Sequence, residues 1–163
     1  MSFTYKPEIG SLSEVPNGSW QSTAPQSATV ADQEYLVSFN STDFERGMRL
    51  TSSNRFYVDT SGLYNIQYAL QFYNSGGGGT SAHAHIWFKV NGNAVAETGV
   101  RHSCTSNSPY QVSSRDYFLT LAAGDYVQLA WNTNHTNIGL FYEAAVSPVP
   151  IVASAVLTMT QVG

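Results

Sequence analysis

Leu119-Thr120-Leu121-Ala122-Ala123-Gly124-Asp125-Tyr126-Val127-Gln128-Leu129 decides how the rest of the chain is read. Two short runs with apolar residues at every second position flank Ala122-Ala123-Gly124-Asp125. That is the pattern of two half-buried strands joined by a tight turn. Gly124 supplies the positive φ that such a turn needs. Asp125 can fold its carboxylate back onto the turn backbone. Both are therefore read as structural residues.

Working outward, the same period of two recurs. Tyr64, Ile66, Tyr68, Leu70 and Phe72 alternate with Asn65, Gln67, Ala69 and Gln71, after a turn at Asp59-Thr60-Ser61-Gly62. Gly62 is read as a turn former like Gly124. His83 to Val90 places Ala84, Ile86, Phe88 and Val90 on one face and His83, His85 and Trp87 on the other. Asn91-Gly92 ends that strand in a two-residue hairpin turn, since both positions tolerate positive φ. Shorter strands are expected at Glu34–Phe39, Arg55–Val58, Ala94–Val100, Gly139–Tyr142 and Val152–Val162. Gly76 to Gly79 lack the Lys-Ser/Thr and helix of a phosphate loop and read as a flexible connection. No window has helical periodicity, so the fold class is all-β, a sandwich or barrel.

The first thirty residues differ. Pro7, Gly10, Pro16, Gly18 and Pro25 interrupt any regular element. They predict an extended N-terminal arm over 1–30 ahead of one domain over 31–163. Phe3, Tyr5 and Trp20 are the arm's candidate anchors on a partner.

Three segments together resemble a known family. Phe56-Tyr57-Val58 followed by Gly62-Leu63-Tyr64-x-Ile66, then Phe88-Lys89-Val90-Asn91-Gly92, and finally the Leu119–Leu129 hairpin are similar to tumour-necrosis-factor-like (TNF-like) and complement globular-head domains. The likeness spans about residues 34 to 162. It implies a TNF-like jelly-roll sandwich and a homotrimer about a threefold axis, with aromatic residues between subunits. Aromatic residues make up 13 % of the chain, ten of them Tyr, which is more than the sandwich alone needs.

Composition narrows the function. Only 11 % of the 163 residues are charged, against about 25 % in typical domains. Lys6 and Lys89 are the only lysines and the net charge is −4. No basic cluster exists to grip phosphates, so no nucleic-acid partner is expected. No long apolar run suggests a membrane partner. Cys104 is the single cysteine, so no internal disulfide forms.

Chemistry is thin. His83 and His85 share a strand face and could bind metal with His102 or His135 as a third ligand, or respond to pH, but nothing in the sequence fixes that geometry. They are read with Trp87 as an interface or ligand face, with no metal and no cofactor assigned. Asp43 and Glu45 fall in one segment, and Cys104 lies two residues after His102. Neither pair suggests a catalytic site, and no enzyme activity is expected.

The arm, the jelly roll, and the lack of disulfides, of a leader or of an anchor predict a virion structural protein. It would be made in a host cytoplasm and then decorate (cement) a capsid as a trimer clamping the major capsid protein or another virion protein. The alternatives are a receptor- or glycan-binding knob of a phage fibre or spike, and a secreted TNF- or complement-like recognition protein acting outside the cell.

Overall fold

The computed structural model describes residues 15–107 and 109–163. In chain order its strands are β1 Asn17–Ser22, β2 Gln26–Ser27, β3 Tyr35–Leu36, β4 Ser41–Arg46, β5 Met48–Thr51, β6 Arg55–Val58 and β7 Gly62–Asn74. There follow β8 His83–Val90, β9 Asn93–Ala94, β10 Val100–Ser103, β11 Tyr110–Leu121, β12 Tyr126–Thr133, β13 Ile138–Leu140 and β14 Ala155–Gln161. They form two antiparallel sheets. The first runs β2-β13-β7-β14-β1-β4, with β11 along the other edge of β7. The second runs β10-β8-β12-β6-β5, with β3 against β12 and β9 against β8. Among the described residues no helix is long and apolar enough to cross a membrane.

The core lies between the sheets and follows the alternation seen in the sequence. Tyr64, Ile66, Tyr68, Leu70 and Phe72 of β7 point inward, opposite Ala84, Ile86 and Phe88 of β8 and Val127, Leu129 and Trp131 of β12. Ala155, Leu157 and Met159 of β14 complete the layer.

The turns also match their residues. Gly124 has φ 88°, and Asn91 and Gly92 have φ 51° and 81°. The two hairpins clasp each other. The Asn91 amide donates to Asp125 Oδ1 at 2.7 Å, and Asn91 Oδ1 accepts from the Tyr126 backbone N–H at 3.0 Å. Asp125 Oδ2 accepts from the Ala122 N–H at 2.8 Å. The Asn91 contact first, and then the Ala122 N–H, hold the Asp125 carboxyl below its ordinary range.

Four expectations need correcting. The arm does not reach residue 30, because β1 is an interior strand paired to β14 on one side and β4 on the other. Trp20 is therefore no partner anchor. It is fully buried in this chain's own core, 4.7 Å from the Phe56 ring by centroids, and its Nε1–H donates to Glu45 Oε2 at 3.2 Å. Phe3 and Tyr5 lie outside the described residues.

Gly62 is not a positive-φ turn former. A Cβ there would stand 2.4 Å from the Gly163 carbonyl oxygen, so glycine permits a close approach of two backbones. The pairing expected from Ala94 to Val100 is split. Thr98 instead turns inward, its hydroxyl accepting from the Phe88 N–H, and β10 resumes the ladder. Along the Gly76–Gly79 connection all four residues take positive φ. Asn74 organises it from a buried position. Its amide donates to the Gly77 and Cys104 carbonyls at 3.2 and 2.6 Å, and its Oδ1 accepts from the Gly76 N–H at 2.9 Å.

Candidate functional site

β11 is a twelve-residue strand with most of its outward side chains exposed. It pairs with β7 along twelve residues, from Tyr110↔Tyr73 to Leu121↔Gly62, and among the described strands it pairs with no other. Its outward side chains include Tyr110, Val112 and Phe118, each more than half exposed. A long edge strand bearing bare apolar side chains invites pairing or packing with another chain.

The face has relief. Tyr73, Tyr110 and Phe141 form a cluster at one end, with Tyr110 centroids 4.9 Å from each of the other two rings. Phe118 stands near the other end of β11. Between them the sheet is floored by small side chains, Ala69, Ser114 and Val156, which leave a hollow of about 520 Å³ edged by Gln67, Asp116 and Thr158. Large apolar residues at both ends and a shallow polar hollow between them suit a protein surface packing face to face.

The histidine pair lies on the outward face of the other sheet, across the sandwich. His83 and His85 are half-buried, with ring centroids 4.9 Å apart at 80°. Trp87 shares their face, beside Ala130 in the register. His102 and His135 are not brought to them. Among the described residues no group of three His, Cys, Asp or Glu side chains is placed to hold a metal ion.

The other pairs singled out in the sequence are engaged or buried. Asp43 accepts from the Ser19 hydroxyl at 2.8 Å and the Gln21 amide at 2.9 Å, while Glu45 serves Trp20 and the Leu50 N–H. These carboxylates tie β4 to its neighbours. Cys104 is buried, and burial pushes its thiol up to about 12, leaving it protonated and a poor nucleophile at neutral pH. His102 stacks on Phe72 with centroids 5.4 Å apart. Its Nε2 is buried and has no hydrogen-bond partner among the described residues, and burial lowers its pKa.

That histidine sets a pH dependence. The unfolded imidazole titrates near about 6.5, and the folded one lower. The unfolded state then binds more protons below that pH. Stability contributed by neutral His102 is present in full above about pH 6.5 and declines as pH falls toward the folded pKa. We expect the urea midpoint to fall between pH 7.5 and 5.0. His102→Phe should reduce that fall; an unchanged pH profile in the variant would assign it to other groups.

Of the residues proposed from sequence, His83, His85 and Trp87 do share a face, whereas Trp20 is internal. The exposed band of Tyr73, Tyr110, Val112, Phe118 and Phe141 was not singled out. Its signal was the alternation of Tyr110 and Val112 ahead of Tyr117, obscured by the polar run Ser113-Ser114-Arg115-Asp116.

No protein-family model matches the sequence, and no curated protein matches it. The structure is similar to solved structures. The crystal structure of murine APRIL at pH 5.0 superposes with a TM-score of 0.60 at 13 % identity, covering 91 % of this chain and 99 % of that one. Murine APRIL at pH 8.5 gives 0.58 at 12 % identity over the same shares. APRIL is a TNF-family jelly-roll protein. With the sheet order above, this likeness establishes that the chain has the all-β, TNF-like jelly-roll fold.

Proposed function

We propose that the protein is a non-catalytic homotrimer whose copies pack through the outward β7–β11–β14 face, leaving the connecting loops free to bind a partner at an extracellular or particle surface. The exposed apolar band on β11 carries this reading. It is long, continuous with the Tyr73–Tyr110–Phe141 cluster, and surrounds a hollow able to receive a neighbour's side chains. The buried thiol and the structurally engaged carboxylates support a binding rather than a chemical role.

The likeness to a TNF-family protein favours trimeric recognition outside the cell. Capsid decoration, with a capsid or other virion protein as partner, finds less support. It leaned on a thirty-residue arm, and residues 17–22 of that arm belong to the core sheet. A glycan partner rests only on the Tyr- and Asn-rich surface.

Light scattering at micromolar concentration tests the assembly. We expect three times the 17.7 kDa chain mass. Val112→Glu with Phe118→Glu should give a folded monomer with an unchanged circular dichroism spectrum, because burying unpaired charges at an interface is costly. A wild-type monomer would overturn the proposal, as would a trimer indifferent to both substitutions.

A further inference from the structure

We propose that His83 and His85 form a two-imidazole site for a late transition-metal dication such as Cu²⁺, Ni²⁺ or Zn²⁺, with both rings ligating through Nε2. The argument rests on which nitrogens are already spoken for.

His83 Nδ1 lies 2.8 Å from the Ser81 backbone carbonyl oxygen. A carbonyl only accepts, so Nδ1 carries the hydrogen and Nε2 keeps its lone pair. His85 Nδ1 lies 3.2 Å from Asn132 Oδ1, an acceptor that favours the same tautomer. An Nδ1–H held by an oxygen acceptor is the arrangement that orients metal-binding histidines and raises the basicity of the other nitrogen.

The spacing fits as well. With metal–nitrogen bonds of about 2.1 Å, two imidazoles on one ion at tetrahedral to right-angled geometry have centroids about 4.5–5.2 Å apart. The observed separation is 4.9 Å. The rings also stand on a rigid base. The His83 N–H donates to Asn134 Oδ1 at 2.8 Å, and its carbonyl accepts from the Thr133 hydroxyl at 3.1 Å. Asn134 also donates to the same Ser81 carbonyl at 3.1 Å, steadying the acceptor.

Two imidazoles leave the remaining positions to water or an added ligand. The site is therefore an exchangeable one rather than a structural centre. Arg101 modulates it. Its Nη2 comes within 3.4 Å of His83 Nδ1 as a donor that competes with the Nδ1–H tautomer, but the Ser81 contact at 2.8 Å is the shorter and holds the hydrogen. The guanidinium is thus a nearby positive charge that opposes a dication. The site faces away from the β7–β11–β14 face and does not depend on trimer formation.

Copper titration of the whole chain by calorimetry at pH 7.5 tests this, with Ni²⁺ and Zn²⁺ alongside. One ion per chain is expected, with Cu²⁺ tightest. His83→Gln and His85→Gln should each weaken binding at least about tenfold, and Asn132→Ala, which removes only the anchor of His85, by about tenfold. Arg101→Gln should tighten it. On Zn²⁺ addition the imidazole nitrogen resonances of both histidines should shift at Nε2. Circular dichroism confirms that each variant is folded. Three results would each overturn the proposal: no saturable binding, binding that survives loss of both histidines, or zinc shifts at Nδ1 or at His102 and His135 alone.

Discussion

Trp20→Ala should destabilise the protein by about 3–5 kcal/mol, with a thermal midpoint lower by roughly 6–20 °C. The reason is position rather than aromaticity as such. The indole is fully buried, tilted against Phe56, which in turn meets Phe39 edge-on at 5.0 Å. It folds back over Gly18, where even a methyl group would come within 2.3 Å of the ring. Nothing nearby can swing in to fill the void, because Gly18 has no side chain and the facing aromatics are already packed. The same truncation leaves Glu45 without one of its two hydrogen-bond donors. Urea denaturation of the variant and wild type measures the loss. A change below about 1 kcal/mol, outside the range for buried tryptophan, would mean that β1 does not sit in the sheet as described.

Asn74→Ala should cost about 2–3 kcal/mol, although it removes only one small amide. Three backbone groups lose their partner at once: the Cys104 and Gly77 carbonyls and the Gly76 N–H. Asn74 is buried, so water does not readily replace it. Asn74→Asp should be at least as harmful. It keeps an acceptor for Gly76 but sets a carboxylate against two carbonyl oxygens in a buried place. Faster amide exchange at Gly76 in the alanine variant, ahead of global unfolding, would localise the effect to the glycine connection. Unchanged stability in both variants would contradict the described network.

The fold was readable wherever one strand face is buried and the other is wet. β7, β8 and β14 alternate cleanly, while β12 keeps the alternation in its sequence although Val127 to Trp131 are all buried. β1 was missed because Pro16 and Gly18 read as breakers, yet Gly18 is there to make room for Trp20. β4 was missed because five of its six residues are exposed, so Ser41–Arg46 carries no apolar period. The exposed band on β11 shows a different limit. Tyr110, Val112 and Phe118 alternate like core residues, and a pattern of period two does not say whose core they enter. The histidine pair was visible as a pair. Its orientation was not, since one Nδ1 anchor is Asn132, 47 positions away along the chain.

The place of β14 in the sheet bears on how the molecule is made. Ala155–Gln161 is the last strand in chain order, yet it lies between β7 and β1, hydrogen-bonded to both. During synthesis, β7 and β1 emerge from the ribosome long before the strand that joins them. Roughly ninety residues separate the end of β7 from the end of β14, so at about 5–20 residues per second the gap stays open for several seconds. Through that interval the inward faces of Trp20 and Ile66 have no common neighbour, and the nascent sheet presents two unpaired edges to its surroundings. A ribosome-bound chain halted before residue 155 should therefore be a chaperone client, and release should coincide with the arrival of Leu157 and Met159.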